Sequence, residues 1–253
     1  ITNKEYFPSG SFITNSETFK FSLLNRLLTE KTSTISDGIT NKVKYFYKPI
    51  DSQLPIEVTR NNISLIERVE NFKNNELLGS SVTVYDNNWV GQGLSLSNNA
   101  FLPKEIKNAK GSNDLELKVK INFYDEYSHP LEVQQENGMP IAYIWGYNKT
   151  QPIAKIENAT YTQVQPYVAN LQSASNGTNE GALISALDAL RTALPNAMVT
   201  TYTYKPLIGI STVTDPKGDT QTYHYDSFNR LQYVKDKDGN ILSENQYHYR
   251  TQN

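Results

Sequence analysis

The stretch DPKGDTQTYHYDSFNRLQYVKDKDGNILSENQYHY, residues 215–249, keeps a metre. Asp215-x-x-Gly218 and Asp236-x-x-Gly239 stand 21 residues apart. Tyr202/Tyr204, Tyr223/Tyr225 and Tyr247/Tyr249 follow one another at 21 and then 24 residues. Asp215-Pro216-Lys217-Gly218 puts Asp, Pro and Gly where a type I turn prefers them, so VTDPKGDTQTYHY reads as strand, turn, strand. Alternation then places Tyr223 and Tyr225 on one strand face, with Thr222 and His224 on the other. Asp238-Gly239, between Leu231/Tyr233 and Ile241-Leu242, marks a second hairpin.

The phrase recurs upstream in weaker form. Tyr124-Asp125 precedes Gly138 by the Asp-to-Gly step of 13 that separates Asp226 from Gly239. Tyr143 follows Gly138 by 5, as Tyr223 follows Gly218. LPIEV (54–58), LPKEI (102–106) and PLEV (130–133) open strands in a shared way. Tyr47, Tyr85 and Tyr124 lie 38 and 39 apart, which reads as two periods each. A hairpin every 20 or so residues predicts a stacked β-array in which each unit covers its neighbour.

One segment breaks the metre. Val164, Tyr167, Val168 and Leu171 fall at helical spacing, as do Leu183, Ala186, Leu187, Leu190 and Leu194. Thr162 and Gln165 fit a capping box, Pro195 stops the second helix, and SASNGTN (173–179) is the loop between them. The fold class expected is therefore mainly β, with a helical hairpin inserted at about 163–194 as helices over roughly 163–175 and 180–194. The expected organisation is a degenerate β-repeat region (1–120), a YD-like repeat (121–160), the helical insert (161–196) and terminal repeats (197–253). ETFKFSLLNRLLTEK (17–31) fits helix or strand, with strand favoured.

The bulk numbers agree. With 38 % hydrophobic residues and a mean hydropathy of −0.56, the chain is polar, yet 17 tyrosines suit half-wet sheets. A net charge of −2 and no Lys/Arg block argue against nucleic acid as a partner. The absence of cysteine excludes disulfides, thiolate zinc sites and thiol catalysis. No run approaches 18 apolar residues, so no membrane-spanning helix is expected. The opening ITNKEYFPSG has no Met and no signal-peptide pattern, which is expected of a processed chain or a fragment.

YHYDSFNRLQYVKDKDGNIL (223–242) resembles the RHS/YD repeat, whose core is Tyr-Asp, two variable residues, Gly-Arg-Leu and an Asp-x-x-Gly turn. Tyr225, Asp226, Arg230, Leu231, Asp236 and Gly239 match. Asn229 replaces the family's Gly, a mild departure because Asn tolerates the left-handed conformation. The copy at Tyr124-Asp125 lacks the Arg. Together with GMPIAYIWGYNKTQPIAKIENATY and the helical insert, residues 120–253 resemble the carboxy-terminal end of large YD-repeat proteins of Bacteroidota, related to wall-associated protein A. The first 120 residues share only the LP-x-EV phrase and the tyrosine spacing. The resemblance implies a β-shell able to enclose a toxic polypeptide. It also implies export by the type IX secretion system, with cargo signals at the carboxy terminus. The chain ends soon after its last Tyr pair, so a carboxy-terminal region without a toxin domain is expected. The usual immunoglobulin-like sorting domain is not evident.

No motif names a reaction. His129, His224 and His248 have no partner at catalytic or metal spacing, and read as strand residues. Asp236-x-Asp238-Gly239-Asn240 lacks the alternating oxygens and closing Glu of a calcium loop. GQG (91–93) lacks the third glycine of a dinucleotide loop. DPKGD brings to mind the self-cleavage motif of some RHS shells, but its flanks differ. Asp226 and Arg230 are expected to pair across their turn. The expectation is a non-enzymatic, cofactor-free structural region of a secreted or cell-surface protein. Its expected partners are the upstream shell of the same chain and outer-membrane type IX translocon components. The alternatives are an adhesin or carbohydrate-binding module, with Trp89 and Trp145 exposed, and part of a toxin-enclosing shell.

Overall fold

The computed structural model describes residues 2–35, 37–48, 64–86, 89 and 101–247. LPIEV, GQG, His248 and Tyr249 lie outside them. The described residues form sixteen strands and two helices. Those up to Ile121 belong to one compact unit and those from Asn122 onward to a second.

In the first unit, strands follow one another across an antiparallel sheet in chain order: β1 (Thr2–Tyr6), β2 (Phe12–Phe21), β3 (Leu28–Ile35), β4 (Thr40–Tyr47), β5 (Ile66–Lys73), β6 (Glu76–Asp86), β7 (Leu102–Lys110) and β8 (Glu116–Tyr124). The ambiguous segment 17–31 is indeed strand: it ends β2, turns at residues 22–27 and begins β3. Among the described residues between Tyr47 and Tyr85 there is one hairpin, β5–β6, with strands of 8 and 11 residues.

This sheet is held by rows of side chains rather than by a deep core. Lys20 pairs with Glu30 at 2.7 Å, Glu30 stands opposite Lys44, Lys44 opposite Glu70, and Glu70 meets Arg68 at 2.8 Å. The hydrogen bond from Lys20, helped by its charge and those of Lys42 and Lys44, holds the Glu30 carboxyl below its usual range. Opposite charges facing each other favour this register over a slip that would set like charges together. Gly79 allows the β6 backbone close to β7, because a Cβ there would sit 2.5 Å from the Ala109 carbonyl oxygen.

The second unit continues the scheme with β9 (Pro130–Gln135), β10 (Pro140–Gly146), β11 (Gln151–Glu157), β12 (Met198–Lys205), β13 (Gly209–Thr214), β14 (Thr220–Tyr225), β15 (Leu231–Lys235) and β16 (Ile241–Glu244). Helices α1 (Tyr161–Ser175) and α2 (Glu180–Ala193) lie between β11 and β12 in the chain. Those two strands still pair, Glu157 with Met198 and Ile156 with Val199, so the helices are an insertion that leaves the sheet whole. Their apolar stripes supply one side of the core. Val164, Leu171, Leu183, Leu187 and Leu190 pack on Ala142, Ile144, Ile153, Ala154, Ile156 and Val199, and Tyr167, Val168, Ala186 and Leu194 flank them.

The cap of α1 differs from expectation. Thr160, not Thr162, is the N-cap, and it forms the capping box with Gln163 rather than Gln165. Two Thr-x-x-Gln pairs overlap here, and burial chooses between them. Starting at Tyr161 sinks that ring against Phe123 and lets the Tyr161 N–H donate to the buried Glu132 carboxylate at 2.6 Å. Glu132 also accepts from the Asn122 side chain at 2.6 Å, so its charge is met from two sides. The loop between the helices is only 176–179, because Ser173–Ser175 complete α1.

The end of α1 grips the sheet through small residues. A Cβ on Gly146 would lie 2.6 Å from Ser175 Oγ and 2.8 Å from Ile153 Cγ2. Ser175 Oγ accepts the Tyr147 N–H at 2.9 Å, and Asn176 Oδ1 accepts the Asn148 N–H at 2.7 Å. Gln172 donates to the Trp145 carbonyl at 2.9 Å. These bonds hold a turn in which Tyr147, Asn148 and Lys149 all have positive φ, of 50, 56 and 62°. Such a run is strained for residues with a Cβ and persists only where its surroundings fix it. Truncating the insert's apolar stripe with Leu187→Ala is expected to cost about 2–5 kcal/mol, measured by urea unfolding. Gly146→Ala is expected to lower the same midpoint by displacing the end of α1.

Candidate functional site

The residues of the repeat motif build a connection found four times among the described residues. In each copy an Asp opens a five-residue turn. Its N–H donates to the carbonyl of residue i+4, and the N–H of residue i+3 donates back to the Asp carbonyl. The pairs are Asp125 with His129 and Ser128, Asp215 with Asp219 and Gly218, Asp226 with Arg230 and Asn229, and Asp236 with Asn240 and Gly239. The i+3 residue is left-handed in all four, at φ 70, 91, 61 and 85° for Ser128, Gly218, Asn229 and Gly239. Asn229 thus does the work of glycine, as the resemblance implies.

The carboxylate is the fastener. One oxygen of each Asp accepts two backbone N–H groups, from residues i+2 and i+4, at 2.8–2.9 Å. These donors face inward across the loop, where strand pairing cannot reach them. The second oxygen is met by the side chain of residue i+4. Arg230 donates to Asp226 at 2.7 Å from Nε, Asn240 to Asp236 at 2.9 Å, and His129 Nδ1 lies 3.0 Å from Asp125. Asp219 cannot donate in this way and instead pairs with Lys237 of the next turn along the same sheet edge, at 2.8 Å. The Asp226–Arg230 pair expected from sequence is therefore present, half-exposed, with Arg230 stacked over Tyr247 at 4.2 Å.

The tyrosines close the other half of the connection. At the exit of a hairpin's second strand, an aromatic side chain donates to a carbonyl at the start of the first strand. Tyr47 reaches Leu28 (2.8 Å), Tyr85 reaches Ile66 (3.1 Å), Trp145 reaches Pro130 (3.0 Å), Tyr204 reaches Pro152 (3.0 Å), Tyr225 reaches Ile210 (2.8 Å) and Tyr247 reaches Leu231 (2.9 Å). At Tyr47, Tyr85, Trp145, Tyr204 and Tyr225 the pairing with the following strand slips by one residue, a β-bulge that tips the ring back over the preceding strand. Burial pushes the Tyr204 hydroxyl up to about 12, and those of Tyr47, Tyr85 and Tyr225 upward too, so these groups stay protonated donors. Gly209 is needed beside Tyr225, because a Cβ there would lie 2.4 Å from its hydroxyl oxygen.

Several assignments shift accordingly. Tyr247 closes the last hairpin in the place held by Tyr225 and Tyr204, so the count runs 204, 225, 247 rather than by the first member of each pair. Leu231 opens β15 and lends its carbonyl to that bond. Asp215, Gly218, Asp236 and Gly239 are turn residues, and Asp238 holds the central place of its three-residue loop. His129 has a partner after all, Asp125. It stands four residues on, where Arg230 stands from Asp226, and it stacks on Trp145 at 4.2 Å. Counting from Asp rather than from the Arg would have found it, and counting 21 from Tyr124 would have found Trp145. His224 stacks on Tyr233 at 4.5 Å. Among the described residues, no group of three or more His, Asp or Glu is placed to hold a metal ion. In the calcium-like stretch, both Asp236 oxygens receive N–H donors. Trp89 and Trp145 are half-buried and each donates its indole N–H to a carbonyl, so neither is the free platform a sugar-binding reading expects.

No family model and no curated protein matches the chain. Solved structures do. The crystal structure of TcdB2-TccC3-Cdc42 is similar over 95 % of this chain and 14 % of that one, at 11 % identity and a TM-score of 0.35. The Tc holotoxin pore of Photorhabdus luminescens is similar over 97 % of this chain and 15 % of that one, at 10 % identity and 0.33. TcdB2-TccC3 without its hypervariable C-terminal region covers 92 % and 13 %, at 10 % identity and 0.33. The chain thus spans about a seventh of the length of the first of these.

Removing the fastener where it is most buried, Asp125→Ala, is expected to cost about 1–3 kcal/mol by stranding the Tyr127 and His129 N–H groups, read from the denaturation midpoint. Hydrogen bonds hold the Asp226 and Asp236 carboxyls below their usual range, from the Arg230 and Asn240 side chains respectively and then from backbone N–H groups. A carboxyl lowered on folding contributes fully above its unfolded value, near 4, and loses that contribution as pH falls through the folded value. Stability against pH is therefore expected to fall on the acid side, and Asp226→Asn with Asp236→Asn to flatten that limb while leaving pH 6–8 level.

Proposed function

We propose that the chain is a non-enzymatic structural region of a large secreted or cell-surface RHS (YD-repeat) protein. The observation that carries this is the recurrence of two devices, an Asp-fastened turn and an aromatic that closes the preceding hairpin, which join at Tyr225-Asp226. They use the motif's Tyr, Asp, Arg and Leu for architecture. In the motif's turns each carboxylate is occupied by turn N–H groups, which suits a wall better than a catalyst. In this reading the unpaired edge of the array joins the upstream shell of the same chain, and the terminal repeats carry the determinant for export by the type IX secretion system and engage its outer-membrane translocon.

The test fuses residues 1–253 behind a signal peptide to a reporter in a host with that secretion system. The expected outcome is reporter in the medium or on the surface, lost when the translocon is deleted and lost when residues after 200 are removed. Secretion that survives translocon deletion, or none at all from a folded fusion, would sink the export role.

A further inference from the structure

The dipeptide Asn-Gly occurs twice in the chain, at Asn137-Gly138 and Asn176-Gly177. It is the most reactive setting an asparagine can have. The amide nitrogen of the following residue attacks the side-chain carbonyl carbon and closes a succinimide ring, and glycine puts no Cβ in the way. The fold treats the two copies differently. Asn137 stands in the β9–β10 turn. It is exposed, left-handed at φ 53°, and its side chain makes no hydrogen bond among the described residues. The attacking group, the Gly138 N–H, donates to the Gln135 carbonyl at 3.0 Å, and the Gln134 side chain donates to the Gly138 carbonyl at 3.1 Å. The pairing beneath the turn is weak, because Gln134 faces Pro140, which has no N–H to give. No residue of the tip, 135–139, is buried.

Asn176 ends α1. Its Oδ1 accepts the Asn148 N–H at 2.7 Å. The Gly177 N–H donates to the Ala174 carbonyl and the Asn176 N–H to the Gln172 carbonyl, both at 3.2 Å. Ser175 beside it is buried, and its Oγ accepts the Tyr147 N–H. For the ring to close here, the side chain must leave Asn148 and the last turn of α1 must come off the β10–β11 turn. Opening an exposed turn takes far less free energy than undocking a packed helix end.

We propose that Asn137 is a site of spontaneous deamidation in the folded protein, and that Asn176 is protected from it. The Gly138 nitrogen bonds to Cγ of Asn137 and sheds its proton, the Cγ–Nδ2 bond breaks, and ammonia leaves. Water then opens the succinimide at either carbonyl, giving aspartate or isoaspartate. Only water is consumed. The β9–β10 turn gains a negative charge next to Glu136 and, in the isoaspartyl form, an extra carbon in its backbone. The mark accumulates with the age of the protein on an exposed turn. The inference does not depend on export, and its test is made on purified protein.

The whole chain is incubated folded and in urea, at neutral and mildly alkaline pH. It is then digested and mapped by mass spectrometry for the amide-to-acid mass gain, with isoaspartate counted by enzymatic methylation. In the folded chain, conversion at Asn137 is expected to run about tenfold or more ahead of Asn176. It is expected to quicken at the higher pH, because the attacking nitrogen must lose its proton. In urea the two rates are expected to converge. Ser175→Ala, which loosens the end of α1, is expected to speed conversion at Asn176 and leave Asn137 unchanged. Gly138→Ala is expected to slow conversion at Asn137 several-fold, with the thermal midpoint verifying that the variant folds. Equal rates at the two sites in the folded chain, no conversion at Asn137 where the unfolded chain converts, or the same ratio folded and in urea would each overturn the proposal.

Discussion

One carboxylate oxygen accepting two backbone N–H groups is the constraint on which four of the second unit's connections rest. A five-residue reversal leaves inward-facing donors that no strand can satisfy, and burying them bare would cost more than a hairpin gains. Asp answers this with the shortest side chain that can reach both. The other oxygen is then available, and what residue i+4 supplies for it varies between Arg, Asn and His while the backbone stays the same. The adjoining aromatic solves the complementary problem. It bridges to the preceding strand across the bulge, so that the Tyr-Asp dipeptide marks the point where one hairpin is shut and the next begins.

The aromatic closure occurs in both units, which otherwise rest on different reserves. In the first, few of the described side chains are buried, and cross-strand charge rows favour the register. In the second, the helical insert gives the sheet a dry face, and twelve buried residues form one cluster there. Insertion between two strands that remain paired is what makes this possible. The helices add a core without spending a sheet position.

Much of this was legible in the residues. Hairpin spacing, the Asp-x-x-Gly turns, the Asp226–Arg230 pair and the insert's apolar stripes follow from local chemistry and period. What was not legible depends on partners distant in sequence. The cap of α1 falls on Thr160 because Glu132, 29 residues away, accepts the Tyr161 N–H. Alternation placed the tyrosines on strand faces, but not that Tyr204, Tyr225 and Tyr247 bond to carbonyls 15 or more residues back. His129 was overlooked because it substitutes chemically, not alphabetically, for Arg.

The left-handed run Tyr147–Lys149 carries a consequence for timing. Its backbone is held by Gln172, Ser175 and Asn176, more than 25 residues further along. Local bonds from Thr150 to Gly146 and Tyr147 close the turn, and the bonds from α1 complete it only once that helix has been made. The finished turn therefore records that α1 is in place: its last three backbone contacts exist only in a chain that extends past residue 176.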